Sequence, residues 1–361
     1  MLAFWLVDGE MSQLGGRDPE HAVQAEAQAA VRQMTNGYWV TQIIYVAARL
    51  GIADLLDDRP RAIDVLAKST GTHEPSLHRL MRALTGLGVF KQAENGEYEN
   101  TALGCYLVTG SPGGLRARAI GSGEEWYQGW GRLLETVQTG QTAFDRVFGQ
   151  PFFEYLTANA EAAAVFNEAM ASTTEAAARA VSNAYDFSWA NVLVDVGGGT
   201  GAFLGTILQA NPQARGILFD RQDVVAAAGA LLAGSGVADR CEVVAGNFFH
   251  AVPPGGDAYI LSWVIHDWDD DRSITILKNC RRAIGRDGRV LMIELVIPPG
   301  NEASPSKLAD IHMLALTGGC ERREDEYREL LAAADLRLTR VIPTGDPRSI
   351  IEAVPMQARS A

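Results

Sequence analysis

The stretch Val192–Gly201 (Val-Leu-Val-Asp-Val-Gly-Gly-Gly-Thr-Gly) constrains this chain more than any other. An apolar β-branched run ends in a carboxylate, passes through four glycines and enters Ala202–Leu208, which is apolar. That order predicts a buried strand, a tight loop and a helix start. Glycine tolerates positive φ and carries no Cβ, so backbone here can lie against a ligand. The helix start adds free N–H groups. Gly216–Asp220 then reads as a second short strand ending in an acid, able to accept hydrogen bonds from both hydroxyls of a ribose. Strand, glycine turn, helix, strand and acid together point to an adenosine-cofactor site at the edge of a parallel sheet.

The glycines alone do not name the cofactor. Gly197, Gly199 and Ala202 satisfy the loose dinucleotide pattern, so an NAD-dependent oxidoreductase is a competing reading. Asp195 favours S-adenosylmethionine (SAM). A carboxylate this close to the loop serves a pyrophosphate poorly, but tolerates a sulfonium and an ammonium. A glycine turn that binds nothing would have no use for Asp220 at the place the pattern requires.

Composition narrows the class. The 361 residues are 47% hydrophobic and 21% charged, as expected of a globular chain of two domains. A net charge of −13 argues against nucleic-acid or anionic-membrane partners. No apolar run spans a bilayer, and Met1–Val7 lacks the basic residues of a signal peptide. The expected location is the cytoplasm, where four scattered cysteines (Cys105, Cys241, Cys280, Cys320) remain free thiols and form no metal site. Residues 1–20 read as a mobile extension, with Met11 as an alternative start.

Residues 21–115 form the first expected domain. An alanine-rich helix runs to Met34. The segment Tyr38–Leu50 is apolar on most faces and needs partners in a core or at a subunit interface. Arg61–Lys68 predicts a short helix, and Leu77, Leu80, Met81, Leu84 and Leu87 mark the next. Val89–Gln92 and Glu97–Glu99 flank Asn95-Gly96, a hairpin signal. Helix, turn, helix, hairpin is a winged helix. Glu94, Glu97 and Glu99 would set acid against phosphate, so a scaffolding or dimerisation role is preferred to a DNA-binding, SAM-sensing regulator. Residues 116–188 read as a helical connector. Its aromatics, including Trp126, Tyr127, Trp130, Phe152, Phe153 and Phe166, suit a core and can also wall a flat-ring pocket. Residues 189–361 are the expected cofactor domain: a mostly parallel α/β sheet with helices between its strands. Leu336–Ile342 and Ser349–Val354 are joined too tightly for a crossover, so one C-terminal strand is antiparallel.

The second informative stretch is Tyr259–Asp271. A strand is expected to rise directly into His266, followed by acids and an amphipathic helix marked by Ile274, Leu277 and Ile284. Asp269–Asp271 read as helix capping rather than metal ligation. His266 falls at the strand end where open α/β sheets bind ligands. Methyl transfer to a phenol asks a protein to position the oxygen and remove its proton, and histidine suits the second task near neutral pH. Glu294 and Glu321 are alternative partners for the other ring nitrogen.

These stretches, with Leu50–Asp54, Leu87–Phe90, Phe166–Met170, Asp310–Leu314 and Thr317–Arg322, resemble the class I SAM-dependent O-methyltransferases of the plant caffeate/flavonoid type. The likeness is to the bacterial secondary-metabolism branch, antibiotic-pathway enzymes included, and spans residues 37–355. It implies a Rossmann-like SAM domain, a homodimer intertwined through N-terminal helices, and methyl transfer to a phenolic hydroxyl of a small aromatic acceptor, leaving S-adenosylhomocysteine. His266 would be the base, framed by Glu294 and Glu321, with no metal. Asp195, Gly197, Gly198, Gly199, Gly201, Asp220, Arg221, Asn247, Phe248 and Ser262 would hold the cofactor. Phe153, Phe166, Met170, Asp267, Asp310 and Met313 would line or support the acceptor pocket. Two positions depart from the family's pattern. Asn247 stands where Asp is usual, although its carbonyl oxygen can still accept the adenine amine. Ser262 stands where many members have Lys. Relatives that bind SAM without methylating, acting as hydroxylases or decarboxylases, are the alternative within the same fold.

Overall fold

The computed structural model describes residues 19–226 and 228–356. The extension expected over residues 1–20 lies outside the described residues up to position 18, as does the choice between Met1 and Met11 as start. A helix already begins at Pro19.

Helices Pro19–Thr35 and Gly37–Arg49 open the chain. The winged unit follows: helices Ile63–Thr70 and Glu74–Gly86, then β1 (Phe90–Gln92) and β2 (Tyr98–Asn100), paired antiparallel. Its first helix starts two residues later than expected, because Arg61 is drawn into a bridge with Tyr98. Ile52, Leu66, Leu77, Met81, Leu84, Phe90 and Tyr98 close a core of their own. The connector is helical throughout. Its last helix, Ala160–Ala184, is long enough to reach from the aromatic cluster around Phe152 to the sheet, where Ala178 and Val181 pack.

Seven strands make the main sheet: β3 (Val192–Val196), β4 (Arg215–Asp220), β5 (Cys241–Ala245), β6 (Ala258–Ser262), β7 (Arg289–Leu295), β8 (Leu336–Pro343) and β9 (Arg348–Pro355). Their order is β5-β4-β3-β6-β7-β9-β8, with β9 alone antiparallel to its neighbours. Strand side chains alternate between faces, and both faces are covered. Val194, Tyr259, Leu261, Met292 and Ile351 pack on one side, with Ile276, Leu277 and Tyr327 from helices. Leu193, Leu218, Ile260, Leu291 and Ile350 pack on the other, with Phe203, Leu204 and Ile207. From β3 the chain goes outward to β4 and β5, then returns to β6 on β3's other side. The crevice beyond the carboxyl ends of β3 and β6 is the reversal point where such sheets bind ligands. No helix among the described residues is long and apolar enough to cross a membrane.

Candidate active site

The glycine loop and the His266 turn meet at that crevice. Gly197, Gly199 and Gly201 all take positive φ (72°, 61° and 86°). A Cβ on Gly197 would come within 2.9 Å of Val264, and one on Gly198 within 2.5 Å of Leu218. Gly199 faces open space instead, and its N–H donates to Asp220 Oδ2 at 2.8 Å. Asp220 Oδ1 accepts from the Arg221 N–H at 2.7 Å. Burial still raises the Asp220 pKa above the ordinary carboxylate range, against those two donors. Asp195 is fully buried, and neither of its oxygens has a full hydrogen bond among the described residues. Burial and the nearby Asp220 push it up to about 7. One buried and one half-buried acid with acceptor capacity to spare suit a ligand that brings hydroxyls and positive charge.

β6 stops at Ser262, short of where the sequence placed its end. Trp263 turns left-handed (φ 55°), and His266 lies on the short 3₁₀ turn Ile265–Asp267. This turn is clamped from three sides. Glu294 Oε1 accepts the Val264 and Ile265 N–H groups at 3.1 and 2.9 Å. The Arg322 guanidinium donates to the carbonyls of Ile265 and Trp268 at 3.3 and 2.9 Å. Gly319 packs so close that a Cβ would lie 2.0 Å from the His266 carbonyl oxygen.

His266 donates from Nδ1 to Glu321 Oε1 at 2.9 Å, while Glu294 Oε2 stands 3.9 Å from the same nitrogen. Nε2 has Asp267 Oδ1 at 3.7 Å, beyond hydrogen-bond reach. Burial opposes charge on the ring, but Glu294, Asp267 and Glu321 outweigh it and raise the imidazole to about 10. Glu294 is itself pushed up to about 7, by burial first. Asp267 rises to about 6, also by burial first. His266, Glu294 and Glu321 each offer one ligand atom within 4.8 Å of the others, so this trio could hold a metal ion. In the structure the nitrogen they share is engaged in the bond to Glu321.

A cavity of about 1460 Å³ joins loop and turn. That exceeds the roughly 300–1,000 Å³ of a site for one small molecule and leaves room for two. Asp195, Gly197, Gly198, Gly199, Asp220, Arg221, Asn247, Phe248 and Ser262 line it, and so do His266, Asp267, Glu321, Phe153, Phe166, Met170 and Met313. Glu294, Gly201 and Asp310 stand behind the wall. Gly201 packs toward Leu218 and Leu232, and Asp310 Oδ1 accepts the Glu321 N–H at 3.0 Å. Asn247 Oδ1 accepts from the Phe249 N–H, which leaves it a further lone pair. Phe153 stacks on Trp268 with centroids 5.5 Å apart.

Sequence reasoning missed Trp263, His312, Arg118 and Arg348 as lining residues. Trp263 follows Ser262 directly, so proximity could have flagged it, though not its left-handed turn. His312 precedes Met313, and its Nδ1 accepts from the Trp130 indole at 2.9 Å. Burial, Arg118 and His266 together hold it down to about 4, so it is neutral.

The profile of the family described as O-methyltransferase domain matches residues 130–337, and that of the O-methyltransferase dimerisation domain matches residues 32–110. The chain is 50% identical over 324 residues to phenazine O-methyltransferase PhzM of Lysobacter antibioticus, covering 90% of this chain and 95% of that one. It superposes on the crystal structure of LaPhzM with a TM-score of 0.89 at 49% identity, covering 91% of this chain and 99% of that one. It also resembles an O-methyltransferase from neocarzinostatin biosynthesis, solved with SAM and 2-hydroxy-5-methyl naphthoic acid. That match has a TM-score of 0.78 at 32% identity and covers 88% of this chain and 96% of that one.

Proposed function

The chain belongs to the O-methyltransferase family, and from that premise we propose that it transfers the methyl group of SAM to a phenolic hydroxyl of a small aromatic natural product. The observation that carries the reading is a single cavity with the glycine loop at one end and a carboxylate-tethered histidine beside it.

SAM, when bound, supplies an electrophilic methyl. Asp220 would take the ribose hydroxyls, with Arg221 beside it. Asp195 and the backbone of Gly197–Gly201 would take the charged methionine end, Ser262 standing next to them. Asn247 and Phe248 would meet the adenine. Phe153, Phe166, Met170 and Met313 would hold the aromatic acceptor, supported by Asp267 and Asp310. Its oxygen, placed at His266 Nε2, loses its proton there. Glu321 orients the ring through Nδ1, and Glu294 holds the backbone turn and adds negative charge. Positioning of this kind can be worth effective molarities of about 10⁵–10⁸ M, and a base about 10²–10⁴-fold more. None of these steps calls for a metal. We divide the chain as 21–115 for dimerisation, 116–188 for the acceptor wall and 189–361 for SAM. We place a homodimer in the cytoplasm, where its four free cysteines fit reducing conditions.

A histidine raised to about 10 is protonated at neutral pH. An imidazolium that captures a phenolate gives the same complex as a neutral imidazole that captures a phenol. kcat/KM is therefore greatest between the acceptor's own pKa and about 10, falling on either side. The test is transfer of labelled methyl from SAM to hydroxylated aromatics across pH, with and without a chelator. The acidic limb moves with the acceptor's pKa, and the chelator has no effect. No transfer to any phenol, or tight NAD binding without S-adenosylhomocysteine binding, would contradict the reading.

A further inference from the structure

Three arginines line the cavity: Arg118, Arg221 and Arg348. Arg221 pairs with Asp223 at 2.8 Å, and Arg348 pairs with Asp346. Arg118 has no ion pair or hydrogen bond among the described residues; its side chain stays open to solvent, although partial desolvation draws its pKa down. A guanidinium that lines a pocket with no carboxylate beside it is free to receive one from a ligand.

Its position fits the acceptor. Arg118 lies on helix Arg116–Gly123, three residues before Gly121, and so on the same face. Trp126 sits on Gly121, where a Cβ would come within 2.9 Å of the indole. The His312 ring meets Trp126 edge-on at 5.6 Å and stacks on Trp130 at 6.0 Å. His312 is within electrostatic reach of both Arg118 and His266. The cavity is thus divided by charge. Its acids gather at the glycine loop and at His266, while the unpaired cation lines the acceptor end, within electrostatic reach of His312. Those rings offer an aromatic body its faces, and Arg118 offers a fork that matches a carboxylate.

We propose that Arg118 is an acceptor-binding residue that holds a carboxylate, so that the preferred substrates are hydroxylated aromatic acids rather than neutral phenols. This rests on the cavity's being the acceptor site, and the test reads binding without turnover, so it stands apart from the methyl-transfer assay. Calorimetry is run on the complex with S-adenosylhomocysteine. The probes are 1-naphthoate and phenazine-1-carboxylate, each against its carboxamide. The wild type binds at least one acid about tenfold to a hundredfold more tightly than its amide, the range a charge-assisted hydrogen bond implies. Arg118→Met abolishes that preference while retaining S-adenosylhomocysteine affinity, and Arg118→Lys restores part of it. No preference for either acid in the wild type, absence of binding included, would overturn the proposal. So would a preference that survives in a folded Arg118→Met.

Discussion

Asp195 shows how a residue can be kept at a cost to stability. A carboxylate whose folded pKa is raised to about 7 contributes stability that is full below its ordinary range and is lost as pH rises through about 7. Above that pH the fold carries a buried charge without a partner, a penalty on the order of a few kcal/mol. Asp195→Asn is expected to lose less thermal stability than the wild type between about pH 5 and about pH 8, while binding SAM more weakly. Melting curves at the two pH values, with calorimetry, check both halves. Parallel pH dependence in variant and wild type would show that the charge is compensated elsewhere.

Among the elements, the turn carrying His266 is the one the rest of the site is built to hold. Gly319 matters here for its missing Cβ, since an added methyl meets the His266 carbonyl and must displace the turn. Gly319→Ala is expected to fold and to bind S-adenosylhomocysteine, but to lose on the order of tenfold to a hundredfold in kcat, as small misplacements do. Wild-type kcat in that variant would show that the turn has slack. The same turn marks how far the sequence could be read. Its carrier strand β6 was legible because four buried residues, Ala258–Leu261, adjoin a turn signal. Its departure at Trp263 was not, because a left-handed tryptophan is imposed by packing and has no local signature. Glu321 was legible as a candidate. Its selection over Glu294 as the hydrogen-bonded partner needed the fold, which closes a separation of 55 residues. Arg118 and His312 stayed hidden because they sit on different helices whose shared face only tertiary packing creates.

At the scale of the molecule, pattern separates the helices and hairpin from the alternating strands and helices that follow. What the isolated chain leaves open is its first two helices. Val23, Val31, Met34, Tyr38 and Trp39 each expose more than half of their surface. Large apolar side chains gathered like this mark an association face. The dimerisation-domain match begins at residue 32 and takes in Met34, Tyr38 and Trp39. Sedimentation at micromolar concentration is expected to give about twice the 38.8 kDa of one chain. A stable monomer would remove the dimer from the account.

The central claim is that His266 holds the acceptor's proton in the reacting complex, by either order of arrival, and acceptors of graded acidity test it most directly. Turnover of wild type and His266→Ala is compared across phenols from weakly to strongly acidic, with SAM affinity measured alongside. On the least acidic phenol the variant is expected to lose about 10²–10⁴-fold in kcat with SAM affinity little changed. The deficit shrinks toward the most acidic phenol, which arrives ionised and needs no base. A deficit equal at every acidity would make His266 a positioning residue. A near-wild-type rate on the least acidic phenol would contradict the claim outright.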